Sequence, residues 1–334
     1  MATQWTAGFQ AFMMGIAERK TRYKTDGKNQ SPDDKTAPRT KSLPVKAEKL
    51  LEWRDLSPWR QHGSDHLQTG YRTECASVRM CFHSWTYIHN DTVNIYSHVI
   101  GAIVFLVLPL YIFSSEVPPR YEIATVTDVL VCSTYFLGVA VCFILSTLFH
   151  TFMSHSERWY ITGIKFDYQG ILLLMWGSTI PLVYYSFPCE ESSGIRVVYW
   201  IATTALAALC SVATFHPAIG GPHLGHVRAV LFGAFGFGSF LAPVGHGILR
   251  FGLPEQSVRI GLQWIGLTAL FNGAGVVLYA LKFPERWYPR RFDIWGASHQ
   301  IMHVAVVFAA LAYTKAVIQA FDYHHQYNVF VCAN

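Results

Sequence analysis

The stretch "ASHQIMHVAVVFAALAY", residues 297–313, decides the fold class, because it is apolar enough for a lipid bilayer and yet carries two histidines. His299 and His303 are four residues apart, so both rings project from one face of a helix. Imidazole is poorly solvated among apolar side chains, and a metal ion is a partner that neutral imidazole binds. The stretch therefore predicts a membrane helix with a metal ligand pair, although a plain position at the membrane interface would also accommodate the two rings.

The rest of the 334-residue sequence has the same apolar character, with 51% hydrophobic and 14% charged residues. Several runs reach the ~20 residues that cross a bilayer, which predicts an all-α integral membrane protein. A bundle of seven transmembrane helices is expected. The predicted spans are 94–113, 129–152, 164–187, 196–214, 227–249, 257–281 and 298–321.

Four regions follow from this pattern. Residues 1–43 are polar and predict a disordered cytosolic segment. Residues 44–93 form an amphipathic juxtamembrane region, with a short surface helix expected at 44–59. Residues 94–321 form the seven-transmembrane domain, which is also the predicted zinc-binding domain, and residues 322–334 form a tail.

Lysine and arginine are more frequent in the loops after the second, fourth and sixth spans, which predicts a cytosolic N-terminus and an extracytosolic C-terminus. About half of all Lys and Arg precede the first span and favour contact with anionic headgroups, and no nucleic-acid-binding motif is present. The seven cysteines include no CxxC pair. Cys189 and Cys332 fall on one side, where free thiols are favoured over a disulfide.

Polar residues converge on one side of the predicted bundle, because odd spans start and even spans end there, and little comparable falls on the opposite side. Ser146 and His150 are i, i+4, as are His299 and His303, so three imidazoles from two helices could surround one ion, with Asp167 on a third helix. Three histidines and an open position are a known arrangement for catalytic zinc. The converging residues are Asp91, Asn94, Ser97, His98, Ser146, His150, Asp167, Ser298, His299 and His303.

Simpler interpretations exist for several of these residues. Asp91 and Asn94 are interpreted as caps of the first span. Asp167 could pair with a neighbouring base instead of facing a metal. His98 and His246 have no evident partners and are interpreted as structural. The bases available to Asp167 are Lys165 and Arg158.

Four motifs together resemble the progestin and adipoQ receptor family, also called haemolysin III-related, and its fungal branch in particular, over about residues 71–321. They are "HNDTVNIYSH", "STLFH", "DYQGI" and "SHQIMH". Asp91 stands where many members have glutamate. The resemblance implies seven spans with a cytosolic N-terminus and zinc bound by His150, His299 and His303, with Asp167 beside the metal and Ser146 close by.

The resemblance favours a zinc-dependent hydrolase of a membrane lipid amide, because alkaline ceramidases carry similar motifs and adiponectin receptors have been assigned ceramidase activity. Asp167 would act as general base and Ser146 would donate to the oxyanion. Fungal members are linked to zinc, lipid and sterol homeostasis and to signalling.

The alternative is a receptor or sensor with a structural zinc, whose partner would be a ceramide-like lipid, a sterol or an extracellular protein. A zinc or proton transporter is disfavoured by the one-sided cluster. The endoplasmic reticulum and the plasma membrane both remain candidate locations.

Overall fold

The computed structural model describes residues 49–61, 65–115, 119–188, 193–216 and 225–331. The chain in these ranges is helical, and its only extended pairing is a bridge between Leu51 and Tyr71. The helices are α1 (Val78–His83), α2 (Thr92–Ser114), α3 (Arg120–Ile123), α4 (Val126–Phe152), α5 (Glu157–Ser186), α6 (Ser193–Phe215), α7 (Gly225–Gly236), α8 (Ala242–Phe251), α9 (Leu253–Ile260), α10 (Leu262–Leu281) and α11 (Ser298–Val331). A π-helical turn, Phe237–Leu241, joins α7 to α8.

Six segments of the described chain are long and apolar enough to cross a membrane: Thr92–Ser114, Val126–Phe152, Ser193–Phe215, Val230–Phe251, Leu262–Leu281 and Ser298–Gln326. The 30-residue helix α5 packs beside them. It is outside this set because glycine, aromatic and polar side chains interrupt its apolar residues. The prediction of an all-helical membrane protein is confirmed, and the count of seven spans and the direction of the termini stay predictions.

Helix α4 lies at the centre of the bundle, between α2 and α5. The backbones of α4 and α5 approach each other closely, because glycines lie where the two helices meet. A Cβ atom on Gly138 of α4 would lie 2.8 Å from the carbonyl oxygen of Leu173 on α5. Small residues allow this approach between membrane helices. Helix α11 is fastened to the same core by buried tyrosines, since Tyr135 donates to the carbonyl of Ala310 at 2.5 Å.

Three boundaries differ from the sequence predictions. The predicted span 257–281 is divided between α9 and α10 at Gly261, whose φ of +64° ends one helix and starts the next. Over residues 49–59 the predicted surface helix is wrong: single 3-10 turns occur at Trp53–Asp55 and Pro58–Arg60. The predicted tail from 322 continues α11 to Val331. The 1–43 segment, Cys189 and Cys332 lie outside the described residues.

Candidate metal centre

Three histidines meet where the end of α4 lies beside the start of α11. His150 occupies the last turn of α4, and His299 and His303 occupy the first two turns of α11. The Nε2 atom of His299 is 3.4 Å from Nε2 of His150 and 3.0 Å from Nε2 of His303. Within the described ranges, this is the one group of at least three His, Cys, Asp or Glu residues with ligand atoms all within 4.8 Å of one another.

The spacing of these nitrogens fits a tetrahedral metal ion. Zinc binds histidine nitrogen at about 2.0–2.1 Å, and two such ligands at a tetrahedral angle are about 3.3 Å apart. The two nitrogen pairs, at 3.4 and 3.0 Å, lie on either side of that value. Three neutral imidazoles are a donor set that suits zinc, copper, iron and nickel. The residues present can therefore hold a zinc ion.

Asp91 fixes the tautomer of His150. Its Oδ1 atom lies 3.0 Å from Nδ1 of the ring. Burial opposes ionisation of Asp91, but the hydrogen bond from His150 and the charge of Arg72 outweigh it and hold the pKa of the carboxyl well below its usual range. An ionised carboxylate only accepts hydrogen bonds, so Nδ1 of His150 donates to Asp91, and in the neutral ring the lone pair is then on Nε2. That is the form in which imidazole binds a metal.

Arg72 anchors this carboxylate from the segment before α1. Its guanidinium is buried and lies 3.3 Å from Oδ2 of Asp91. It also donates to the carbonyl oxygens of His150 at 2.6 Å and Thr151 at 3.2 Å, and to the hydroxyl of Ser84 at 2.9 Å. The arginine thus ties the last turn of α4 and the aspartate into one network.

His89 completes the surroundings of Asp91. Its Nδ1 atom accepts the backbone N–H of Asp91 at 3.1 Å. Burial and the charge of Arg72 lower the pKa of His89 to about 4, so the ring stays neutral and remains an acceptor. Both the backbone and the side chain of Asp91 are therefore held by hydrogen bonds.

Asp167 and Ser146 lie beside the histidines. Ser146 is one turn before His150 on α4. Asp167 is on α5 between Gly163 and Gly170, which pack against Phe149 and Cys142 of α4. The electrostatic neighbours of the Asp167 carboxylate are His150 and the Ser146 side chain, not Lys165 or Arg158. The structure thus brings the five predicted site residues together, and their roles remain predictions.

Aromatic rings enclose the histidines. The ring of His98 stacks on His303 with centroids 4.0 Å apart, and Tyr279 packs edge-on to His299 at 5.0 Å. The ammonium of Lys282 lies 3.9 Å from the Tyr279 centroid, and burial lowers the pKa of this lysine. The three imidazoles are therefore held among rings that restrict how they turn.

The structure corrects two sequence interpretations. Asp91 precedes α2, but its side chain makes no capping hydrogen bond; it holds His150 instead. His98 and His246, which had no evident partner in the sequence, both have one: His98 stacks on His303, and Nδ1 of His246, away from this centre, lies 3.1 Å from the hydroxyl of Tyr199. Arg72 was not singled out by the sequence. The only signal for this network was an acid on the histidine side, at a position where the resemblance allows aspartate or glutamate.

The expectation of a one-sided cluster is also wrong. Asp128, at the opposite end of α4, is fully buried and lies 3.1 Å from Nε2 of His325. It accepts the hydroxyl hydrogen of Tyr185 at 2.9 Å. Val139 and Phe143, both fully buried, lie on α4 between the two clusters, so the polar groups on that helix are interrupted by apolar side chains.

Comparison with known proteins agrees with this architecture. Residues 86–314 match the haemolysin-III related family. The chain is 35% identical over 280 residues to the adiponectin receptor protein of Drosophila melanogaster, an alignment that covers 84% of this chain and 61% of that protein. It is 32% identical over 277 residues to an ADIPOR-like receptor of Saccharomyces cerevisiae, covering 83% and 86% of the two chains. This chain thus spans less than two thirds of the fly protein and most of the yeast one.

Proposed function

The chain belongs to the haemolysin-III related family, and we propose that it is a membrane receptor of the adiponectin-receptor type, built around a zinc centre. In this proposal α5 is a seventh span, the N-terminus is cytosolic and the C-terminus is outside. The names of the relatives support the receptor class. The observation that carries the metal is the triangle of imidazole nitrogens between α4 and α11. The expected ligand is a ceramide-like lipid or a sterol, or an extracellular protein.

His150, His299 and His303 would hold the ion, and each residue around them has a defined part. Asp91 accepts a hydrogen bond from the Nδ1–H group of His150 and so leaves Nε2 available to bind the ion. Because His150 is on α4 and the other two are on α11, binding would fasten the two helices at one end of the bundle. When bound, zinc supplies Lewis acidity and lowers the pKa of water to about 7.

A second function, hydrolysis of a membrane lipid amide, is favoured by the number of protein ligands. Structural zinc sites usually have four, whereas three leave a position for water or substrate. Asp167 and Ser146 lie beside this centre, and neither is one of the three candidate ligands. Asp167 would accept the proton of the attacking water and pass it to the leaving amine. Ser146 would donate a hydrogen bond to the oxyanion that develops on the carbonyl.

Purified protein separates the two functions. Zinc content is measured for the wild type and for Asp167→Ala, and both are assayed for ceramide hydrolysis at equal zinc occupancy. Cleavage by the wild type, lost in the variant while zinc is retained, would establish the hydrolase. If both proteins retain zinc and neither cleaves ceramide, the result supports a receptor with a structural ion. Protein that folds but retains no zinc in either form would contradict both.

A further inference from the structure

In the loop between α10 and α11, residues 282–297, the two acids and the three arginines lie on opposite faces. Glu285 is 2% exposed and accepts hydrogen bonds from the backbone N–H and the hydroxyl of Ser298, at 2.8 and 2.5 Å. Asp293 is 2% exposed and accepts from the hydroxyl of Thr69 at 2.7 Å. The two acids of the loop are therefore directed inward and bound to the protein.

The outer face of the same loop is basic and aromatic. Arg286, Arg290 and Arg291 are exposed, and between and beside them are Trp287, Tyr288 and Trp295, each about half exposed. Trp and Tyr prefer the level of the headgroups in membranes, and basic residues at that level attract anionic lipids. The loop follows a membrane-length helix and leads into another, which places it at the membrane surface on the side of the histidines.

An apolar cleft begins at this loop and continues along the membrane segments. It has a volume of about 390 Å³ and lies between α2, α10 and α11. Gly296 of the loop and Gln300 lie at one end, and Phe271 and Phe308 lie farther along. From Ser298, where α11 begins, to Phe308 the helix rises about 15 Å at 1.5 Å per residue, which is the half-thickness of a bilayer core.

The cleft faces the bilayer and is separate from the metal centre. Little of α10 is buried in the protein, and the cleft residues Ala274, Val304 and Phe308 are exposed. None of the three candidate metal ligands lines it. Its polarity also matches a hydrocarbon chain, since apart from Gln300 its lining side chains are apolar.

We propose that this loop and cleft form a binding site for one anionic phospholipid from the leaflet on the histidine side. The arginines of the outer face take the negatively charged headgroup, and one acyl chain lies in the cleft. Charge complementarity selects an anionic lipid over a zwitterionic one, because the acids that would balance the arginines are bound inside the loop. An acidic protein segment would use the arginines alone and would leave the cleft without a role.

The test uses full-length protein in nanodiscs of phosphatidylcholine, to which phosphatidylserine is added, with bound lipid counted by native mass spectrometry. The triple variant Arg286→Gln, Arg290→Gln, Arg291→Gln should bind phosphatidylserine at least about tenfold more weakly than the wild type at low salt. The matched control neutralises three other exposed bases, Arg54, Arg79 and Arg158, and should bind as the wild type does. Equal loss in both triples would mean diffuse attraction and would overturn the proposal.

The cleft is tested separately. Ala274→Phe places a ring in the cleft and should weaken phosphatidylserine binding, whereas Val277→Phe adds the same ring at an exposed position of α10 outside the cleft. Thermal unfolding checks that both variants fold. Unchanged binding in Ala274→Phe would overturn the proposal, as would equal retention of phosphatidylcholine and phosphatidylserine by the wild type. Complete displacement of the lipid by inorganic phosphate would show a phosphate site without a role for the chain and would also overturn it.

Discussion

Asp91→Asn separates the role of the Asp91 charge from its size. In the wild type, Nδ1 of His150 lies 3.0 Å from the carboxylate oxygen of Asp91. The amide oxygen of the variant can still accept this hydrogen bond, but it carries no negative charge. Hydrogen bonds with an ionised partner are roughly twice as strong as neutral ones. The substitution also leaves the buried Arg72 without its anion. We therefore expect weaker metal binding and lower stability together.

The two effects have different expected sizes. Loss of a partner that orients a metal-binding histidine typically costs 10–100-fold in metal affinity, or about 1.4–2.7 kcal/mol. An unpaired buried charge can cost about 3–5 kcal/mol of stability. Arg72 retains three other acceptors, the carbonyls of His150 and Thr151 and the hydroxyl of Ser84, so we expect the lower end. Asp91→Glu keeps the charge and should restore most of the affinity.

Zinc affinity is measured on purified protein by competition with a chelator of known affinity, and stability by thermal unfolding. Asp128→Asn is the matched control, because it removes another buried carboxylate that contacts a histidine, at 3.1 Å. It lies about 33 Å from His150 along α4, at 1.5 Å per residue, and should lower stability without changing zinc affinity. Wild-type zinc affinity in Asp91→Asn, or an equal loss in Asp128→Asn, would show that Asp91 does not position the ligand.

Three further perturbations test the centre and the helix packing. His303→Ala should reduce bound zinc to background in metal analysis, and His246→Ala should retain it; equal zinc in both would exclude the triangle as the site. Removal of zinc by a chelator should lower the melting temperature reversibly, since a ligand at 100 times its Kd adds about 2.7 kcal/mol to the free energy of unfolding. An unchanged melting temperature would mean that no ion bridges the helices. Gly177→Val would place a side chain against the Thr134 carbonyl of α4 and should destabilise by about 1–3 kcal/mol in equilibrium unfolding. Gly266→Val, with open space around it, should not; equal stability of the two variants would contradict the packing.

The positions of the membrane helices were predictable, because runs of apolar side chains carry the information that a bilayer imposes. The positions at which a helix breaks within an apolar run were less predictable. Gly261 adopts a left-handed conformation that hydropathy does not register, so α9 and α10 read as one span. Leu51 pairs its backbone with Tyr71, twenty residues away, and over residues 49–59 this contact outweighs the helical spacing of the apolar side chains.

The histidine cluster was predictable because spacing on a helix and alternation of direction place its members at one end. The network around Asp91 was not, since an acid that caps a helix and an acid that contacts a neighbouring helix look alike in sequence. Arg72, from the segment before α1, contacts both Asp91 and the carbonyl of His150, and a contact between such distant parts of the chain leaves no pattern in the sequence. The cluster around Asp128 was missed for a related reason, because His325 lies where α11 extends beyond the predicted span.

The most direct measurement is X-ray absorption at the zinc edge on purified wild-type protein, together with the metal content per chain. One zinc per chain with three imidazole nitrogens at about 2.0–2.1 Å is the expected result, and His150→Ala should lose both the ion and the imidazole signal. A folded protein that binds no zinc, or one whose zinc retains its imidazole coordination after His150→Ala, would show that α4 and α11 are not joined by a shared ion.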